Sequence, residues 1–196
     1  MNLRRASGMF RLLTFRAARA AAARLPGGRI SAFGPRPDRI GSILVLNLDR
    51  QPARWRGLLR ELGRLRTFDG APLTSIATRL ASVDARDGRA VAATADVDPN
   101  YRLGDQCHVQ PDTRLEACFS ADEPVRMTRQ EVAVARSHIE AWKVIATGRQ
   151  EHVLVLEDDV WFTSRAAEAI DCGWRAALGR CREEGGPHLL YLSYED

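Results

Sequence analysis

The sequence has only one lysine, Lys143, against 28 arginines, and its four cysteines contain no C-x-x-C pair. It also lacks any uninterrupted apolar stretch approaching the roughly 20 residues that a membrane-spanning helix needs. The cysteine spacing gives no zinc or redox motif, so we expect reduced, structural thiols. These absences argue against membrane-spanning proteins and disulfide-stabilised folds. The 196 residues, 45% of them hydrophobic, suffice for one domain with its own core.

Positive charge is concentrated at the N-terminus, although the net charge of the chain is only +4. Residues 1–40 contain nine arginines and one acid, Asp38, which gives +8. Residues 41–196 contain 20 basic and 24 acidic side chains, which gives −4. We therefore predict a basic tail and linker over residues 1–40 and a domain over residues 41–196 that has no nucleic-acid partner.

The basic tail allows two interpretations. Its arginines are scattered through alanine and leucine, and its end, GPRPDRIGS at residues 34–42, has the composition of a linker. The tail is either a basic amphipathic helix lying on an anionic membrane surface or a disordered extension, and we favour the second. We expect a cytoplasmic protein, peripheral to the inner face of the membrane under the first interpretation.

Strand and helix patterns alternate after the tail. Residues 43–48 form a short apolar run typical of a buried strand, and Pro52 suits the first turn of the helix that follows. A second strand, ending in a turn rich in Asp and Gly, is predicted within residues 78–88. Residues 89–127 show no sustained periodicity, which indicates a lid or an insertion, and a β-hairpin within them cannot be placed.

Regular patterns return at Thr128, which forms a capping box with Glu131 and starts a helix that ends at Gly148. A strand at 153–156, a helix at 164–182 and a final strand at 188–194 follow. This alternation predicts an α/β sandwich with a mainly parallel sheet. The apolar side of the helix that starts at Thr128 is predicted to comprise Val134, Ala135, Ile139, Ala141, Trp142, Ile145 and Ala146.

Three consecutive carboxylates, Glu157, Asp158 and Asp159, follow the strand at 153–156. Ligands bind beyond the carboxyl ends of strands in open α/β sheets, and hard oxygen donors suit Mg²⁺ or Mn²⁺. Since adjacent unpaired charges would repel one another, a divalent ion that carries a diphosphate would explain the cluster. A solvated acidic turn paired with arginines explains it equally well.

The strand and turn motifs taken together resemble glycosyltransferase family 25, which includes bacterial lipopolysaccharide galactosyltransferases and procollagen galactosyltransferases. The resemblance covers roughly residues 43–162. Four segments in order carry it: Asn47–Arg50 with Arg54, Val83–Gly88, Ser137–His138 and Leu156–Asp159.

The resemblance implies a GT-A-like nucleotide-sugar fold and transfer of a hexose from a UDP-sugar donor to a glycan or lipid-linked acceptor, with Mn²⁺ or Mg²⁺. The carboxylate triplet would then replace the Asp-x-Asp motif of GT-A enzymes. Strand alternation would place Asp159 and Glu157 on one side, so we expect these two to bind the metal. The expected substrate-binding residues are Asn47, Asp49, Arg50, Arg54, Asp84, His138 and Asp158.

Individual roles follow from side-chain chemistry. Arg50 and Arg54 are expected to clamp the diphosphate, or to form a solvated helix face. Asn47 and Asp49 would contact uracil or ribose, and Asp158 ribose or backbone. His138 lies within the apolar arc of its helix; helix geometry alone favours a core histidine, whereas the resemblance favours one that faces the site.

The resemblance leaves the catalytic base unassigned. Family members usually continue past a strand such as the one at 188–194, so we expect a chain that is incomplete at its C-terminus, with that strand exposing apolar surface. Two other functions are compatible with the sequence. One is a nucleotide-sugar-binding module without turnover, and the other is a metal-dependent phosphohydrolase.

Overall fold

The computed structural model describes residues 27–92, 96–105, 117–181 and 189–190. The tail before residue 27 and most of the predicted final strand lie outside these ranges. In chain order the elements are β1 (Ser42–Asn47), α1 (Pro52–Arg64), a 3-10 helix (Leu73–Ile76), β2 (Ala77–Ala81), α2 (Arg89–Ala92), β3 (Asn100–Arg102), β4 (Pro124–Arg126), α3 (Arg129–Thr147), β5 (Val153–Glu157) and α4 (Ala166–Arg180).

The described residues form two compact units, each with its own buried cluster. The first unit comprises those within 1–47, 51–79 and 148–196, and the second those within 48–50 and 80–147. A three-stranded sheet in the order β2–β1–β5 organises the first unit, and β1 and β5 are parallel. The expected α/β fold with a parallel sheet is therefore confirmed.

Helices α1 and α4 supply much of the core of the first unit. Helix α1 begins at Pro52, as predicted, and buries Leu58 and Leu62, while α4 buries Trp174. These side chains pack in one cluster with residues of β1. The apolar residues of α1 recur at helical spacing, so one face turns inward and the arginine-rich face stays in solvent.

The segment expected to be a linker packs into the same core. Ile30 and Phe33 are fully buried and Ile40 is nearly so. The Ile30 N–H donates to the carbonyl of Arg66 (2.8 Å), and the Ile40 N–H donates to that of Ala32 (2.8 Å). The linker interpretation of residues 34–42 is therefore wrong, because turns within this segment return the chain to the core and Ser42 already belongs to β1.

Helix α4 holds this N-terminal segment through two polar side chains. The Asp171 carboxylate accepts hydrogen bonds from the backbone N–H groups of Ser31 (2.9 Å) and Ala32 (2.7 Å). The indole Nε1 of Trp174 donates to the carbonyl of Asp38 (3.0 Å). Three backbone groups of the N-terminal segment are thus bonded to side chains 136 to 140 positions away in sequence.

In the second unit, the long aperiodic segment contains a short antiparallel pair. Strands β3 and β4 pair with Tyr101 opposite Val125. The pair is not a tight hairpin, because 21 residues separate its strands, from 103 to 123. This distance explains why no turn signal in the sequence could place it.

Helix α3 begins with the predicted capping box. The Thr128 N–H donates to a Glu131 carboxylate oxygen (2.6 Å), and the Glu131 N–H donates to the Thr128 hydroxyl (3.3 Å). This reciprocal pair satisfies two backbone donors that have no partner inside the helix. The hydrogen bonds from Thr128 also hold the pKa of the Glu131 carboxyl below its usual value.

The buried face of α3 differs from the predicted one. The buried residues are Val132, Ala133, Ser137 and Ala141, whereas Trp142 is 52% exposed and Val134 is also exposed. Of the seven positions predicted for the apolar side, only Ala141 is buried. Three others are half-buried, and Val134, Trp142 and Ala146 are exposed, so the predicted face is wrong in its orientation. Small residues at four-residue spacing form the inner face, because they allow a neighbouring segment to approach closely.

Ser137 shows this close approach directly. Its hydroxyl accepts a hydrogen bond from the backbone N–H of Val83 (2.9 Å) and donates to the carbonyl of Ala133 (2.7 Å). Val83, Ala90 and Ala133 form the small buried cluster of this unit. A larger residue at position 137 would lose both bonds and separate the two segments.

Candidate functional site

The parallel pairing of β1 and β5 brings Asn47 beside Asp158. Leu46 of β1 lies opposite Glu157 of β5. The residues that follow these two, Asn47 and Asp158, therefore lie side by side at the carboxyl end of the strand pair. The side-chain Nδ2 of Asn47 donates to Asp158 Oδ2 (2.6 Å) and to the Gln51 carbonyl (3.1 Å). Asn47 is only 1% exposed, so both bonds are shielded from water.

Arg79, on β2, completes the surroundings of Asn47. Its Nε donates to Asn47 Oδ1 (2.7 Å), and its Nη2 donates to the Asn47 backbone carbonyl (3.2 Å). The sequence analysis did not identify Arg79. The available signal was an arginine near the start of the strand predicted within residues 78–88, which the structure places at the centre of β2, since a partly buried charged side chain needs a partner.

Arg54 reaches the carboxylates from the first turn of α1. Its Nη1 lies 3.2 Å from Asp158 Oδ1 and 3.6 Å from Asp159 Oδ2. The Asp158 side chain is 9% exposed, whereas that of Asp159 is 61% exposed. The repulsion between the carboxylates of Asp158 and Asp159 is therefore reduced by the Arg54 guanidinium and the Asn47 amide.

The expected alternation of the triplet does not occur. Strand β5 ends at Glu157, and Asp158 and Asp159 lie in a turn. The reasoning that placed Asp158 opposite Asp159 is therefore wrong, because extended geometry stops one residue too early. Both carboxylates instead approach the same guanidinium.

The donor chemistry of this edge suits a divalent ion that arrives with a diphosphate. Within the described ranges, no group of three or more His, Cys, Asp or Glu side chains could hold a metal ion by itself. Mg²⁺ is usually held by one or two carboxylates plus substrate phosphates, and Glu157 and Asp159 are both exposed carboxylates at the strand end. The residues present therefore fit an ion shared with substrate rather than a cage made by protein alone.

A second pair of predicted site residues meets in the other unit. The Arg50 Nε donates to Asp84 Oδ2, and the backbone N–H of Arg86 donates to Asp84 Oδ1 (3.0 Å). The turn continues to Gly88, whose φ of 81° suits glycine. The hydrogen bond from Arg50, followed by that from Arg86, holds the pKa of Asp84 below its ordinary value of 3.8.

This lowered pKa predicts how Asp84 contributes to stability as the pH changes. The folded chain keeps Asp84 ionised at lower pH than the unfolded chain does, so the contribution is full above 3.8 and is lost as pH falls through the folded pKa. In urea unfolding, the difference between wild type and Asp84→Asn should stay constant from about pH 7 to 5 and shrink below 3.8. A difference that persists unchanged at about pH 2 would contradict the assignment.

The other predicted site residues lie at three different places. Asp49 is exposed after β1, Glu157 is exposed at the end of β5, and His138 is half-buried on α3. Each of the three also takes part in interactions within the protein. Their assigned roles stay predictions, as does direct substrate contact by Asn47.

Two further sequence expectations concern thiols and membranes. Cys118, Cys172 and Cys181 are free thiols, whereas Cys107 lies outside the described residues. In the part of the chain that the structure describes, no helix has the length and apolar character to cross a membrane.

Comparison with known proteins identifies the family. The family model described as glycosyltransferase family 25 (LPS biosynthesis protein) matches residues 42–174, which is more than half of the chain. No curated protein and no solved structure matches. The matched range contains β1, helix α1 with Arg54, the turn from Asp84 to Gly88 and the three carboxylates at 157–159. Such a family implies a sugar donor and a glycan acceptor, and the chain belongs to glycosyltransferase family 25.

Proposed function

We propose that this chain transfers a hexose from a UDP-sugar to a glycan or lipid-linked acceptor in lipopolysaccharide or related bacterial surface polysaccharide synthesis, using Mn²⁺ or Mg²⁺ in a GT-A-like arrangement. One observation carries the proposal. The Arg54 guanidinium lies within 3.2 to 3.6 Å of two carboxylates at the carboxyl end of a parallel strand pair. This edge of an α/β sheet is where nucleotides bind in open sheets.

The charges at this edge match a metal-bound diphosphate. Arg54 can exchange its exposed carboxylate partner for a phosphate, since exposed ion pairs contribute only about 0–1 kcal/mol. A guanidinium offers a planar fork that matches phosphate oxygens. Asp159 and Glu157 both present exposed carboxylates, the chemistry that a hard cation binds. Bound there, the cation would neutralise charge on the departing diphosphate.

The remaining predicted residues extend the proposal to the nucleotide. Arg50 and Asp84 would contact the donor as a fixed ion pair, with Asp49 and His138 as further substrate contacts. The two oxygens of Asp158 accept hydrogen bonds from Asn47 and Arg54. We therefore propose that Asp158 positions these two side chains and does not bind the ribose directly. The residue that deprotonates the acceptor hydroxyl is not assigned.

The proposal also includes a location. The acceptor chemistry of this family would place the enzyme in the cytoplasm, at the inner face of the membrane where a lipid-linked glycan is accessible. The basic segment 1–26 would supply attraction to anionic headgroups, worth about 1 kcal/mol for each arginine close to the surface.

A donor panel tests the proposed activity. The protein is incubated with several UDP-sugars and a mixture of glycan acceptors, with Mn²⁺, Mg²⁺ or EDTA, and released UDP is measured. We expect UDP release with at least one donor, dependent on metal and stimulated by acceptor. Metal-dependent UDP binding without release would indicate a binding module. Phosphate release from simple esters without uridine would indicate a phosphohydrolase.

A further inference from the structure

We propose that Arg79 is a positioning residue of this site, which acts through Asn47 to fix the Asp158 carboxylate and thereby Arg54. The inference rests on the proposed function, because it concerns the same nucleotide site. Arg79, Asn47, Asp158 and Arg54 form one continuous series of hydrogen bonds across β2, β1, the turn after β5 and α1. Arg79 lies at one end of this series, bonded to Asn47, and Arg54 lies at the other end, where it also pairs with the exposed carboxylate of Asp159.

The direction of each hydrogen bond follows from side-chain chemistry. A guanidinium has only donors, so the atom of Asn47 that faces Arg79 must be its oxygen. The amide nitrogen must then face the other way, towards Asp158 and the Gln51 carbonyl, both of which are acceptors. Neighbouring partners thus settle the orientation of the Asn47 amide without ambiguity.

Arg79 therefore holds the oxygen end of the Asn47 amide, and with it the position of the whole side chain. Without its guanidinium, Oδ1 and the backbone carbonyl of Asn47 both lose a donor in a site that is almost fully buried. The Asn47 side chain would then be held from one end only, by the bonds of its nitrogen to Asp158 and the Gln51 carbonyl. Asp158 would have a less firmly held donor on its inner side, and the position of the Arg54 guanidinium that it pairs with would be less well defined.

The shape of the guanidinium is as important as its charge. Nε and Nη2 of Arg79 reach two acceptors of the same residue, Oδ1 and the backbone carbonyl. A lysine ammonium is a single charged point and does not present this planar fork. Replacements of groups that orient metal or substrate ligands typically cost about 10–100-fold in affinity or activity.

Metal-dependent UDP affinity measures the effect on the site. Calorimetry with UDP and Mn²⁺ should show about tenfold or greater weakening for Arg79→Met and a similar loss for Arg79→Lys. The control is Arg56→Lys, an exposed arginine on α1, which should stay within about twofold of wild type. Wild-type affinity in folded Arg79→Lys and Arg79→Met would overturn the proposal.

A double-mutant cycle separates positioning from direct contact. If Arg79 acts through Asp158, Arg79→Lys should change UDP affinity by less than about twofold in an Asp158→Asn background. If Arg79 contacts the nucleotide directly, the two losses should add. Additive losses would therefore overturn the positioning role.

A nuclear magnetic resonance measurement tests the same inference without nucleotide. The Asn47 side-chain amide protons, identified by their loss in Asn47→Asp, should exchange slowly with water in the wild type. They should exchange at least about tenfold faster in Arg79→Lys, which keeps the aliphatic stem and the charge. Unchanged exchange would overturn the inference. If wild type binds no UDP, the proposed function fails, and amide exchange still decides the role of Arg79.

Discussion

Replacing Phe33 with alanine should lower the free energy of unfolding by about 3–5 kcal/mol, because the change removes a fully buried aromatic ring and leaves a cavity. The measurement is urea denaturation followed by circular dichroism. Phe33 lies in a segment whose composition suggested an exposed linker, yet it packs in one cluster with Leu58 and Trp174. A truncation that removes residues 1–40 would take Ile30, Phe33 and Ile40 out of this cluster together, and we expect it to prevent cooperative folding.

Phe68 provides the matched control in the same unit. Its ring is 40% exposed and lies against the guanidinium groups of Arg36 and Arg39. Phe68→Ala should cost only about 1 kcal/mol, the worth of an exposed cation–π contact. Equal, small effects of Phe33→Ala and Phe68→Ala would show that the N-terminal segment is not part of the core.

Asp159→Asn should weaken Mn²⁺-dependent UDP binding by about tenfold or more while leaving the stability of the metal-free protein within about 0.5 kcal/mol. Its carboxylate is 61% exposed, and the ion pair that it makes with Arg54 is long and exposed. Removing one of three adjacent negative charges also relieves repulsion, which acts in the direction of higher stability. Calorimetry of UDP binding and thermal melting measure the two effects.

Asp158→Asn, in contrast, should lower the free energy of unfolding of the metal-free protein. Its carboxylate is nearly buried and accepts hydrogen bonds from Asn47 and Arg54, and bonds to charged groups contribute about 1.5–3 kcal/mol. Binding should weaken as well, because Arg54 loses the nearer of its two carboxylate partners. The control is Asp122→Asn, whose side chain is 81% exposed, and which should change neither quantity. Undiminished UDP binding by Asp159→Asn would exclude Asp159 from metal binding.

The elements marked by local signals were predicted well. The capping box of Thr128 and Glu131, Pro52 at the start of α1, and the apolar run of β1 each act over a few residues. Their physical causes lie within one turn of helix or one strand. The order of the family motifs likewise depends only on the chain, and the family match over residues 42–174 confirms the suspected family.

The errors arose where packing between distant segments overrides local composition. Residues 34–40 contain turn formers, but Asp171 and Trp174, more than 130 positions away, hold the surrounding segment against the core. On α3 the largest apolar side chain, Trp142, is exposed, and the small Ser137 is buried. Hydropathy favours large apolar residues inside, whereas close approach of two backbones requires small ones.

By itself, the sequence determined the family, the α/β alternation and the arrival of Glu157, Asp158 and Asp159 at the end of a strand, because each depends on residues that are neighbours along the chain. Only the tertiary structure decided what faces them. Strand pairing brings Asn47 to Asp158 across 111 positions, and Arg79 reaches Asn47 from a third strand. Hydrogen bonds of this range depend on which strands pair, in what register, and on where extended geometry ends, and these follow from contacts between segments that are distant in the chain.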